Sequence, residues 1–257
     1  MLPFEPHRTG IDARRYRRGI YLLPSIVTVG NLFCGYACVV YAMRGDLATA
    51  APFIGFAIVL DMLDGRIARM TNTASAFGLE FDSLADVVSF GLAPAILAFA
   101  WGLNELGRVG WAAGFIFVTA AAMRLARFNI QTGTAHMDKR YFVGLPSPAA
   151  AGIVAATVFV FPYPLSGLAQ NIAAILVVLV PAALMVSTMR FRSFKTINFG
   201  HRRSYLPIIV AGVVFAAIAA NPPIALVLIA YGYLASAFIE LALTRLRVRH
   251  EEAPPAG

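Results

Sequence analysis

Charged residues are scarce in this sequence. Asp, Glu, Lys and Arg make up only 13% of its 257 residues, whereas roughly a quarter of the residues are charged in an average soluble domain. Hydrophobic residues account for 59%. This composition excludes an ordinary water-soluble globular domain and is typical of a chain that lies in a membrane.

Cysteine and histidine are also rare. Cys34 and Cys38 stand one helical turn apart, where the geometry disfavours a disulfide, so both are predicted to be small packing residues. The four histidines lack the spacing of zinc ligands. The net charge of +8 comes without a nucleic-acid-binding motif, so we expect membrane lipids rather than nucleic acid as partners.

Long uncharged runs are what the sequence does contain. Residues 141–189 and 204–239 have no charged residue, and each is too long for one helix, since a bilayer-spanning helix needs about 20 residues. Prolines around Pro162 and Pro222 divide them. The pattern predicts an all-α, polytopic integral membrane protein with about eight transmembrane helices. The predicted spans are residues 20–43, 47–69, 78–101, 108–127, 146–161, 170–189, 205–220 and 223–244.

The basic residues predict the orientation of these spans. Of the 21 Lys and Arg residues, only Arg44 and Arg108 fall in connections on one side of the membrane. Positive residues accumulate on the cytoplasmic side, so both termini are predicted to be cytoplasmic. We expect a basic interfacial segment at residues 1–19, a transmembrane domain at 20–245 and a short tail at 246–257.

Acidic residues concentrate around the second and third predicted spans. Asp61 and Asp64 are three residues apart and therefore share one face of a helix. Asp82 and Asp86 are four apart on the next helix, and the short turn between the helices makes them antiparallel neighbours. Four carboxylates can then face one gap at the cytoplasmic end of the helices.

Such a cluster of like charges needs neutralisation within a membrane. Two divalent cations would supply it, and all-oxygen ligands suit Mg²⁺ or Mn²⁺. Two metals are also well matched to displacement at phosphorus, and Gly65, Ala68 and Gly78 would leave room for a nucleotide beside them. Each of these features also has an alternative explanation. Carboxylates within a membrane can serve ion or proton transport instead of metal binding. The small residues can serve helix packing, and Arg69 can be an anchor at the membrane interface.

These residues together form the pattern D-x2-D-G-x2-A-R-x8-G-x3-D-x3-D, complete at every fixed position from Asp61 to Asp86. It resembles the signature of the CDP-alcohol phosphotransferase family. The resemblance implies an alcohol displacing CMP from a CDP-linked donor. It also implies a role for each residue of the pattern. The metal ligands would be Asp61, Asp64, Asp82 and Asp86, and Asp86 would also be the general base. The contacts to the nucleotide or diphosphate would be Asp61, Gly65, Ala68, Arg69 and Gly78.

Segments that extend beyond the signature resemble one branch of that family, the bacterial phosphatidylserine synthases. They include residues 28–35, 82–91, 126–129 and 144–150. In the phosphatidylglycerophosphate synthase branch we expect a proline after the third aspartate and a lysine after the fourth, whereas Ser83 and Val87 stand there. The resemblance implies CDP-diacylglycerol and L-serine as substrates. Glycerol phosphate or inositol phosphate as acceptor is the alternative, followed by an ion-coupled transporter.

A serine acceptor needs a cationic contact for its carboxylate. Arg124, Arg127 and Asn129 lie on the same predicted membrane face as the aspartates, and arginine offers two parallel donors to a carboxylate. Positive residues would gather on this face in any case, so these three are candidates only. The resemblance implies a location in the bacterial inner membrane and makes a homodimer one assembly to test, while the distribution of Lys and Arg predicts an active site that faces the cytoplasm.

Overall fold

The computed structural model describes residues 11–71, 75–132, 141–187, 190–192 and 206–251. Within them the chain is helical apart from one short pair of strands, in agreement with the predicted all-α class. The predictions for residues 1–10 and 252–257 lie outside these described residues. The helices and strands, in chain order, are α1 (Ile11–Met43), α2 (Leu47–Thr71), α3 (Ala76–Asp86), α4 (Ala93–Trp101), α5 (Arg108–Thr132), β1 (Tyr141–Val143), α6 (Ser147–Val160), α7 (Leu168–Val186), β2 (Arg190–Arg192), α8 (Leu206–Ala220) and α9 (Pro222–Glu251).

Five helical segments in the described residues are long and apolar enough to cross a membrane. The helices Ser147–Val160 and Pro222–Ser236 are apolar but shorter. Every predicted span overlaps an observed helix, while the total of eight membrane crossings stays a prediction. The five qualifying segments are Ile26–Met43, Leu47–Met70, Ala76–Trp101, Arg108–Ile130 and Leu168–Val186.

The core of the helical bundle is built largely from alanine. α1 and α2 form a hairpin whose turn has Gly45 at a positive φ of 75°, a conformation that glycine adopts without strain. Ala50, Ala51 and Ala57 of α2 are buried in the hairpin and its neighbours. Small side chains let helices approach closely, which is how helices associate inside a membrane.

α3 and α4 form one continuous helix joined by a wider, π-helical turn at Val87–Leu92. Such turns are rare and often lie next to functional sites. Here the turn presents Ser89 to α1, where Gly35 has no side chain. A Cβ at Gly35 would lie 2.6 Å from Ser89 Oγ and 2.8 Å from its Cα. The bare backbone of Gly35 therefore sets how closely α1 approaches this turn.

We expect Gly35→Ala to destabilise the protein by about 1–3 kcal/mol, the usual effect of an extra methyl group in a packed core. A lower melting temperature in detergent, followed by circular dichroism, would show it. Gly55→Ala on α2 is the matched control, because a Cβ there meets nothing within 4 Å and alanine favours helix over glycine. Equal melting temperatures for the two variants would contradict the close contact.

β1 and β2 pair antiparallel, with Phe142 opposite Phe191. This ladder ties the segment before α6 to the segment after α7. Gly144 follows β1 at a φ of 84°, and the backbone N–H of Leu145 donates to the carbonyl of Leu184 at 3.0 Å. The chain is thereby held against the end of α7 where α6 begins.

Candidate active site

Three of the four predicted carboxylates lie together between α2 and α3. Each of Asp61, Asp64 and Asp82 offers an oxygen, and these oxygens lie within 4.8 Å of one another. Asp64 is 3% exposed, while Asp61 and Asp82 are half-buried. The spacing in the sequence produces this arrangement, since residues three and four apart share a helix face.

The start of α3 is fixed by a side-chain cap. Ser75 Oγ accepts a hydrogen bond from the backbone N–H of Gly78 at 2.9 Å, as an N-cap residue does. This cap sets the first turn of α3 and hence the direction in which Asp82 leaves the helix. The residues immediately before the cap, 72–74, lie outside the described residues.

Asp86 lies one turn beyond Asp82 and does not belong to the three-carboxylate group. Its side chain is buried, at 8% exposure, and remains within electrostatic range of Asp61 and Asp82. Asn31 Nδ2 donates a hydrogen bond to Asp86 Oδ1 at 3.2 Å. The fourth carboxylate is therefore held by α1, next to the other three.

A second bond from α1 reaches the group itself. Thr28 Oγ1 donates to Asp64 Oδ2 at 3.1 Å, one helical turn before Asn31. From sequence alone, a polar residue in an apolar span can contact either a neighbouring helix or the substrate, and both are open for Thr28 and Asn31. The structure gives both a carboxylate partner. The sequence signal for it is a pair of polar residues, three apart, in the apolar segment Ile26–Met43 of α1.

The donor set fits a hard divalent cation. Asp82 Oδ1 is buried and has no hydrogen-bond partner among the described residues, although a buried oxygen without a partner is unfavourable. The surrounding carboxylates add repulsion rather than a donor. A cation bound between the three would supply the missing partner and offset the repulsion, and its all-oxygen ligands would suit Mg²⁺ or Mn²⁺.

The small residues of the signature lie on both helices that carry this group. A Cβ at Gly65 would meet only the guanidinium of Arg69, whose two terminal nitrogens would be 3.6 and 3.8 Å away. Ala68 is half-buried and Arg69 is exposed on the same helix. Gly78 lies across from them at the start of α3, where a Cβ would be 3.1 Å from Ser75 Oγ.

The three acceptor candidates on α5 have different surroundings. Arg124 donates to Ser147 Oγ at 2.9 Å and lies within electrostatic range of Asp86 and Asp61. Arg127 instead donates to the carbonyl of Val186 at 3.5 Å. Asn129 Nδ2 donates to Ser83 Oγ at 2.8 Å.

Of the two arginines compared on α5, Arg124 is therefore the one that lies near the carboxylates. Its guanidinium also lies over the ring of Phe128, 5.6 Å from the centroid. Tyr233 of α9 is close enough to interact with it electrostatically. Sequence reasoning missed Tyr233, because α9 carries no recognisable motif, and it missed the bond from Arg124 to Ser147, because that bond depends on how α5 and α6 pack.

Comparison with known proteins agrees with the signature. Residues 21–189 match the family model described as CDP-alcohol phosphatidyltransferase. The chain belongs to the CDP-alcohol phosphatidyltransferase family. The matched residues contain the whole signature and helices α2 to α7, while α8 and α9 lie beyond the match.

Relatives within the CDP-alcohol phosphatidyltransferase family cover most of this chain. A CDP-diacylglycerol–serine O-phosphatidyltransferase of Helicobacter pylori is 39% identical over 198 residues, which is 76% of this chain and 82% of the relative. The protein of the same name from Bacillus subtilis is 31% identical and is covered over 91% of its length. An archaetidylserine synthase of Methanothermobacter thermautotrophicus is also 31% identical, over 66% of this chain and 69% of its own length.

Proposed function

We propose that this protein transfers a phosphatidyl group from CDP-diacylglycerol to the hydroxyl of L-serine and releases CMP. The observation that carries the proposal is the convergence of Asp61, Asp64 and Asp82 within 4.8 Å, with Asp86 next to them. Relatives named for transfer to serine support the choice of acceptor. In this proposal the protein acts as a multi-pass membrane enzyme.

Asp61, Asp64 and Asp82, with Asp86 alongside, would hold divalent metal, which we propose to be two Mg²⁺ or Mn²⁺ ions. When bound, the metal would neutralise the donor diphosphate and stabilise the departing CMP. Gly65, Ala68 and Gly78 are the proposed nucleotide contacts, and at Gly65 a Cβ would meet only the guanidinium of Arg69. Arg69 would contact the diphosphate, for which a guanidinium is well suited.

Asp86 is the proposed general base. Asn31 occupies Oδ1 of this carboxylate, which leaves Oδ2 to accept the proton of the serine hydroxyl. The serine oxygen then forms a bond to the phosphorus of the phosphatidyl group as the bond from that phosphorus to the CMP oxygen breaks. Proton removal by a positioned base contributes typically 10²- to 10⁴-fold to such reactions.

Arg124 is the proposed contact for the serine carboxylate. Arg124→Gln is expected to raise the KM for L-serine about 10- to 100-fold, because a hydrogen bond to a charged group contributes roughly 1.5–3 kcal/mol. The KM for CDP-diacylglycerol should change far less. Steady-state kinetics with each substrate varied in turn would measure both.

Arg127→Gln is the matched control for this prediction. It removes the same charge from the same helix, but Arg127 donates to the carbonyl of Val186 rather than facing the carboxylates. We expect only a small change in either KM. A large rise in the serine KM for Arg127→Gln, with Arg124→Gln close to wild type, would reverse the assignment.

The membrane arrangement is part of the same proposal. It comprises eight spans with both termini in the cytoplasm, an inner-membrane location and an active site open to the cytoplasm, where serine and CMP are available. The domain division at residues 19 and 245 and a homodimer complete it. The excess of Lys and Arg on one side supports the orientation. Labelling of single cysteines introduced into the connections would test the topology, and cross-linking in membranes would test the dimer.

The deciding experiment is CMP release by the purified protein in detergent with CDP-diacylglycerol and Mn²⁺ or Mg²⁺. L-serine, glycerol 3-phosphate and inositol phosphate are compared as acceptors. Release that depends on serine and metal would establish the proposed reaction. Release with another alcohol alone would keep the chemistry and replace the acceptor, and no release from folded protein would favour the transporter alternative.

A further inference from the structure

Helix α1 contributes no residue to the signature, yet it contacts two of the signature carboxylates. Thr28 donates to Asp64 at 3.1 Å and Asn31 donates to Asp86 at 3.2 Å. The two donors are three residues apart and so share one face of the helix. Asn31 is fully buried, at 0% exposure, and Thr28 is 4% exposed.

The backbone of Asn31 is itself held by a hydrogen bond from the helix that carries Asp86. Ser89 Oγ, in the π-helical turn that follows Asp86, donates to the backbone carbonyl of Asn31 at 3.0 Å. One turn further along α1, Gly35 lies against the backbone of Ser89. A ring of contacts therefore runs from Asn31 to Asp86, along the turn to Ser89, and back to Asn31.

We infer that Asn31 is a positioning residue for Asp86, an inference that rests on the proposed function. Asp61 and Asp82 repel the carboxylate of Asp86, and a buried side chain under repulsion turns away unless a donor holds it. The amide of Asn31 supplies that donor without a positive charge. It fixes the direction of Asp86 while leaving its negative charge available to a proton.

Asparagine suits this role better than the alternatives. Lysine or arginine at position 31 would form an ion pair with Asp86, which would stabilise the charged carboxylate and make it a weaker base. The neutral amide of asparagine binds Oδ1 of Asp86, and Oδ2 stays available to accept the proton of the acceptor hydroxyl.

The test compares Asn31→Ala with Asn171→Ala. Asn171 is a second buried asparagine, 5% exposed, on α7 beside Gly102. Gly102 ends the helix that carries Asp86, about 24 Å further along it. In both asparagines the side-chain oxygen has no partner among the described residues, so both substitutions remove a similar buried group. CMP release is measured with whichever acceptor gives wild type its highest rate.

We expect Asn31→Ala to lower kcat about 10- to 100-fold, the usual effect of losing a group that orients an active-site ligand. The KM for CDP-diacylglycerol should stay within about threefold of wild type, as should kcat for Asn171→Ala. A raised KM with unchanged kcat would overturn the inference, because Asn31 would then contact the donor. Equal losses of kcat in both asparagine variants would also overturn it, because the loss would then come from removing a buried side chain in general and not from the contact with Asp86.

If Asn31→Ala does not fold, the kinetics of Ser89→Ala test the inference instead. Its loss of the bond to the Asn31 carbonyl should lower kcat by a smaller factor with little change in KM, and wild-type kinetics would overturn the inference. The wild-type rates with different acceptors test the proposed function separately. Only the ratio of variant to wild type tests the role of Asn31.

Discussion

Replacing Asp86 by asparagine is expected to lower kcat about 10³-fold, within the range of 10² to 10⁴ that a positioned general base contributes. Asparagine has the shape of aspartate and can still accept the hydrogen bond from Asn31 through its oxygen. It cannot accept the proton of the attacking hydroxyl. The fold and the donor KM should therefore be preserved while the chemical step is lost.

Single-turnover CMP release after mixing enzyme, CDP-diacylglycerol and acceptor would measure this step directly. Asp46→Asn is the matched control, since it removes one negative charge at the other end of α2. Asp46 Oδ1 accepts from the backbone N–H of Thr49 at 3.1 Å, and asparagine caps a helix as well as aspartate does. Activity of Asp86→Asn above a tenth of wild type would remove Asp86 from the role of general base.

Asp82→Asn is expected to abolish the effect of metal on the stability of the protein. A ligand that binds only the folded state stabilises it by about 2.7 kcal/mol at a concentration 100 times its Kd. Wild-type protein should therefore melt at a higher temperature in Mn²⁺ than in EDTA. The variant lacks one of three neighbouring carboxylates, and its melting temperature should be the same in both.

The same substitution should raise the melting temperature in EDTA. Without metal, the three carboxylates repel one another in a partly buried site, and removing one charge relieves that repulsion. Sites built for function commonly reduce stability in this way. Asp46→Asn should retain the wild-type response to Mn²⁺, whereas a full response in Asp82→Asn would show that Asp82 is not a ligand.

The carboxylate site is the part of the molecule that its sequence predicts best. Residues three and four apart on consecutive helices must share a face, so the convergence of Asp61, Asp64 and Asp82 follows from spacing and a short turn. Asp86 lies outside that group, and its hydrogen-bond partner is Asn31 of α1. That partner is 55 positions away in the sequence, and no local periodicity reports it.

The acceptor side of the site shows what sequence patterns cannot resolve. Arg124 and Arg127 are three apart on one helix, and the positive-inside rule accounts equally well for both. Their difference arises from what packs against α5: Ser147 of α6 for Arg124 and the end of α7 for Arg127. The π-helical turn after Asp86 is equally hidden, because residues 87–92 continue the uncharged run of the helix without a break.

The shortness of α6 has a consequence for where the reaction takes place. With 14 residues it is about 21 Å long, whereas α5 with 25 residues is about 37 Å long, at 1.5 Å per residue. The hydrocarbon layer of a bilayer is about 30 Å thick. Arg124 of α5 donates to Ser147, the first residue of α6. Because α5 continues from Arg124 to Thr132, α6 begins about 12 Å before the end of α5. In the proposed reaction, a serine bound at Arg124 would therefore meet the lipid donor about two helical turns inside the end of α5.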